Sequence, residues 1–207
     1  MKKELWSPSE RRLFARLNTP FKIQTYLDQL RYNIDKITRS PRCVIQARRA
    51  HCFDGALFAA AALEFHGCEP LLMDLRCNGQ DDDHVLALFK VGQGWGAIGK
   101  SNYVGCRYRD PVYRSLRELA MSYFHIYFNL ASVKTLREYS VAFPLNKIND
   151  IDWRRTDEDV TPLGYRLDDS RHYFLISKRQ EKLLENTDPR TLKAETLGLD
   201  RRGAFKV

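Results

Sequence analysis

The sequence predicts an α+β domain, and three observations predict it. The stretch Cys52–Phe65 is rich in alanine and other strong helix formers, with apolar residues all round, as a helix covered on both sides requires. Two short apolar runs, 71–75 and 84–91, are too brief for helices and are separated by the polar turn 78–83. A Gly92-Gln93-Gly94 hairpin signal then returns the chain along 95–98, which makes the sheet antiparallel.

The remaining elements follow in order. Ser7-Pro8-Ser9-Glu10 opens a short helix through Leu17, with a capping hydroxyl and an early proline. Thr19-Pro20 opens a second, in which Phe21, Ile23, Tyr26, Leu27 and Leu30 recur at roughly helical spacing. Ser40-Pro41 breaks the chain, and 42–49 reads as a turn or short helix. Gly67 stops the central helix. A helix is expected over 115–128, with Leu116, Leu119, Ala120, Tyr123 and Ile126 on its apolar face. Strands are expected over 136–143 and 173–176, and a short helix over 180–186. Trp153 reads as the anchor of the polar segment 146–163, and 187–207 as a charged, loosely held tail. The expectation is one domain over 1–207, with a core at about 42–145 and an appendage over 146–207.

Composition narrows the function. The net charge is +8, but Lys and Arg are scattered, and only short clusters such as Arg48-Arg49, Arg154-Arg155 and Arg201-Arg202 occur. No nucleic-acid-binding signature accompanies the charge, which reads as a solvated basic surface. No apolar run approaches the length of a membrane span, and no signal-peptide pattern follows Lys2-Lys3, so no membrane partner is expected. Five widely spaced cysteines, an odd number, suit reduced thiols and a cytoplasmic location. Without CxxC or HxxxH pairs no metal site is expected, nor any cofactor. Asp81-Asp82-Asp83 lacks the alternating ligands of a calcium loop and reads as a solvated turn that raises the pKa of His84.

Chemistry is expected at Cys52 and His84. Cys52 stands where the central helix begins, and unpaired backbone N–H groups there stabilise a thiolate and lower its pKa. His84 stands at the start of a strand able to run against that helix. A thiol and an imidazole within hydrogen-bond reach make an activated nucleophile, and a third group on an adjacent strand orients the imidazole. Cys43, Cys68, Cys77 and Cys106 lack such a setting.

Ala50-His51-Cys52-Phe53-Asp54-Gly55-Ala56, Asp83-His84-Val85 and Gly94-Trp95-Gly96-Ala97-Ile98 together resemble the core of transglutaminase-like, papain-like cysteine proteins. The resemblance covers about 42–103. It implies a central helix opened by the nucleophile, a His on the first residue of a sheet strand, and an Asp or Asn on the next strand. It also implies acyl transfer on an amide or ester bond, in a peptide or another such substrate, with extra helices decorating the core. The usual Asp is missing near Gly99. Asn102 is the first candidate for its place, Ser101 the second and Asp110 a remote third. Gln46, six positions before Cys52, and His51 are candidates for the oxyanion site, with Trp95 beside the substrate. The missing Asp also fits a non-catalytic binding module on the same fold.

Overall fold

The structure of the chain, a computed structural model, describes residues 5–35 and 37–205. Its first helices start where hydroxyl side chains take up free backbone donors. Ser7 caps α1 (Pro8–Arg16): its hydroxyl accepts from Glu10 N, and the Glu10 carboxylate accepts from Ser7 N at 2.7 Å. Thr19 caps α2 (Pro20–Asp28) and Ser40 caps α3 (Pro41–Ala47), each followed by a proline whose missing N–H is harmless in a first turn. Two short strands, β1 (Arg31–Tyr32) and β2 (Arg49–Ala50), pair in parallel beside them.

Helix α4 (Cys52–Phe65) is the centre of the molecule, as its alanines predict. Every residue from Phe53 to Leu63 is buried. A helix apolar all round must be covered all round; α1, α2 and α3 pack on it from one side and the main sheet from the other. It ends in a Schellman turn, with Cys68 N donating to Leu63 O and Gly67 N to Glu64 O, and Gly67 at φ +89°.

The main sheet comprises β3 (Leu71–Cys77), β4 (His84–Val91), β5 (Gly94–Ile98), β6 (Arg109–Tyr113), β7 (Leu136–Ser140), β8 (Phe143–Pro144) and β9 (His172–Phe174). The order is β6-β5-β4-β3-β7-β9, β8 also pairs with β3, and all neighbours are antiparallel. Both faces are buried. Leu72, Val85, Ala87, Phe89 and Ile98 belong to the core around α4. Met73, Leu75, Leu86, Leu88 and Ala97 pack on the opposite side with α5 (Leu116–Met121). Burial on two faces is why these strands read as continuous apolar runs.

Two expectations are corrected. The helix expected over 115–128 stops at Met121 and gives way to a 3₁₀ turn, Phe124–Ile126. The Ser122 hydroxyl bonds back to Leu119 O at 2.6 Å, competing with the helical ladder. The tail is also not loose. Helix α8 (Pro189–Glu195) is capped by Asp188, its Glu195 carboxylate accepts from Gly105 N, and Val104 N donates to Glu195 O. Helices α6 (Thr161–Asp168) and α7 (Lys178–Glu181) precede it. Beyond 145 the chain is built into the same body. Trp153 is fully buried, with Nε1 donating to Leu145 O, and Arg154 makes a two-bond pair with Glu64 of α4. Among the described residues, no helix is long and apolar enough to cross a membrane.

Candidate active site

Cys52 is the first residue of α4, and His51 is its cap. The His51 Nδ1 accepts from Phe53 N at 3.1 Å and Asp54 N at 3.5 Å. Asp54, fully buried behind it, accepts from His51 N, Asn33 Nδ2 and Arg39 N. This network fixes the start of the helix. It also engages backbone donors of the first turn and places a carboxylate at the positive end of the helix.

The thiol accordingly departs from expectation. Cys52 is half-buried beside a cleft, and desolvation pushes its pKa up to about 12. The Val85 N–H opposes that rise, while Asp54 and Asp82 add to it. The Phe53 N–H at the helix N-terminus also lowers it, but desolvation outweighs both donors. The sulfur lies 3.9 Å from the carbonyl oxygen of Asp83, which takes its S–H.

His84 opens β4 and is buried. Its Nε2 stands 2.8 Å from the carbonyl oxygen of Cys106. A carbonyl only accepts, so Nε2 carries the proton and Nδ1 is left as an acceptor. No donor among the described residues reaches Nδ1. Burial pushes the imidazole pKa down to about 4, against the Cys106 bond and helped by Arg109. The expected upward shift from Asp81-Asp82-Asp83 is absent. Two of those side chains are engaged elsewhere, Asp81 with Thr135 Oγ1 and Asp82 N, and Asp83 with Cys77 N, while Asp82 is exposed.

Cys52 and His84 thus line one cleft, of about 460 Å³, without bonding to each other. Strand alternation gives the reason. Val85 faces the core around α4, so His84, like Leu86, projects toward the other face. The thiol meets the backbone on either side of His84 rather than its ring.

The other expected residues divide. His51 and Asn102 line the cleft. Asn102 does not orient the imidazole, because both atoms of its amide are bonded to the Asp200 backbone. The Cys106 carbonyl occupies that position instead. Gln46 lies on the exposed side of α3 and is not part of the cleft wall. Trp95 pairs with Lys90 near the far end of β4, its ring 5.2 Å from the Lys90 ammonium, and also lies outside the cleft. Residues not singled out from sequence complete the wall: Tyr32, Tyr103 and Tyr127, and Gly203 and Phe205 from the C-terminal segment. Alternating polarity carries no signal for a wall gathered from such distant segments.

One set of possible metal ligands converges among the described residues. The carboxylates of Asp74, Asp83 and Asp168 lie within 4.8 Å of one another. Asp74 is held by His172 Nε2 at 3.0 Å, Asp168 by Arg76 and Asp83 by the Cys77 N–H, so each carboxylate already has a partner within the protein. Comparison of the sequence with protein-family models and with curated proteins gives no match.

Proposed function

We propose that the chain is a cysteine-dependent acyl-transfer enzyme of the transglutaminase-like kind, acting on an amide or ester bond from the cleft at the start of α4. One observation carries the reading: a thiol on the first turn of a central helix and an imidazole with a free acceptor nitrogen line the same cleft. In this reading the thiol turns from the Asp83 carbonyl toward Nδ1 of His84, which takes its proton as sulfur bonds to the substrate carbonyl carbon. The Cys106 carbonyl holds Nε2–H and stabilises the imidazolium, in the role that a side chain has in other such sites. The leaving group departs with the proton from Nδ1, and water or an amine then takes the acyl group from Cys52.

The test is intact-mass detection of an acyl adduct after exposure to p-nitrophenyl acetate, with peptide mapping. The adduct is expected on Cys52, absent in Cys52→Ala and much slower to form in His84→Ala. Equal ester turnover by Cys52→Ala sinks the reading. A second reading, a non-catalytic binding cleft, is favoured by the thiol's contact with Asp83 and its upward-shifted pKa. It predicts no adduct on Cys52 while ligands still occupy the cleft.

A further inference from the structure

The cleft wall is acidic and aromatic in a basic protein. Among the described residues no Lys or Arg lines it, whereas Asp35, Asp81, Asp82 and Asp83 do. Three of these carboxylates are compensated. Asp35 faces Arg39 and Arg49, Asp81 accepts from Thr135 and Asp82 N, and Asp83 accepts from Cys77 N. Asp82 is exposed and its carboxylate has no donor among the described residues. Its charge is felt by the rings across the cleft: Tyr32 and Tyr103 are both pushed above the ordinary phenol range, by burial first, and Asp82 adds to both.

A second observation is independent of the carboxylates. The Tyr103 hydroxyl is sealed from solvent and has no hydrogen-bond partner, and His84 Nδ1 has no donor among the described residues. A sealed hydroxyl is rarely left so. Both residues line the cleft, whose volume of about 460 Å³ exceeds a bare ion and suits a small organic molecule. The unmet groups are acceptors or hydroxyls and the unmet charge is negative, so the missing partner is a donor with positive charge. Aromatic rings beside a carboxylate are the surroundings such a cation favours.

We propose that the cleft binds an organic cation, an ammonium or guanidinium on an apolar body, with Asp82 as its counter-ion and Tyr32 and Tyr103 as its aromatic neighbours. This rests on the cleft being the functional site, and it implies that the acyl substrate carries a positive charge near its reacting carbonyl.

The test is calorimetric titration of the full chain at low salt with three probes of one shape: 2-phenylethylammonium, 2-phenylethanol and 3-phenylpropionate. The ammonium is expected to bind about tenfold or more tightly than the alcohol, a preference that salt weakens, and the carboxylate is expected to give no binding. Asp82→Asn should bring the ammonium to within about threefold of the alcohol while leaving the alcohol's affinity unchanged. Cys52→Ala should keep the full preference, so that loss of acyl chemistry and loss of charge selection are read separately. The proposal is overturned if the alcohol or carboxylate binds as tightly as the ammonium, or if the ammonium gives no heat up to about 10 mM. It is equally overturned if Asp82→Asn changes nothing, or if calcium chloride binds and the ammonium does not.

Discussion

Asn102 clasps Asp200 with both atoms of its amide: Nδ2 donates to the Asp200 carbonyl at 2.8 Å, and Oδ1 accepts from the Asp200 N–H at 2.9 Å. This joins the loop after β5 to the C-terminal segment. From there the chain crosses to β1, where a Cβ on Gly203 would stand 2.8 Å from the Tyr32 ring. The segment therefore spans the cleft, held on one side by Asn102 and on the other by close packing.

Asn102→Ala removes both bonds. Each is worth about 1 kcal/mol net, so opening of the C-terminal segment should rise about thirtyfold. The measurement is amide hydrogen exchange at 196–205 together with alkylation of Cys52, and both should quicken. An Asn102 that oriented the imidazole would instead slow reaction at Cys52 when removed.

Cys52 should alkylate slowly. With burial raising its thiol from 9.0 to about 12, the thiolate fraction near pH 8 is about a thousandfold below that of an unshifted thiol. The rate at Cys52, followed by mapping iodoacetamide adducts against pH, should still be rising at pH 10. A plateau below pH 8 would mean that the thiolate is stabilised after all.

His84 should make the fold acid-sensitive. Its imidazole titrates near 4 when folded and near 6.5 when unfolded, so between those values the unfolded chain binds more protons. Stability is then complete above about pH 6.5 and falls as pH drops toward 4, by about 3 kcal/mol in all. His84→Asn should flatten that part of a urea-denaturation profile. His172, whose pKa is raised beside Asp74, works the other way, so the comparison is made between parent and variant.

Gly55→Ala tests the packing of α4. Alanine is the better helix former by about 1 kcal/mol. Its Cβ, however, would meet Lys100 Cβ at 2.4 Å, and that Lys is buried with Nζ donating to Leu27 O and Leu30 O. The clash should win by about 1–3 kcal/mol, seen as a lower urea midpoint. Gain of stability would show that Lys100 can move aside.

The sequence by itself determined the scaffold. Helix α4 was legible because an alanine-rich segment apolar on every side has only one place to go. The hairpin of β4 and β5 was legible from Gly92-Gln93-Gly94, and the first helices from Ser7-Pro8 and Thr19-Pro20, since caps and turns depend on neighbours in sequence. The meeting of Cys52 and His84 in one cleft was legible at the same level, from a helix start and a strand start. Tertiary structure alone decided what those groups do there. The face to which His84 points follows from which side of β4 the helix covers. The partner of Asn102 lies 98 residues away, and the acceptor for the imidazole is a main-chain carbonyl whose residue type gives no sign of it. The upward shift of the thiol has the same origin: desolvation depends on how many atoms crowd the sulfur in three dimensions, and no local pattern of residues records that number.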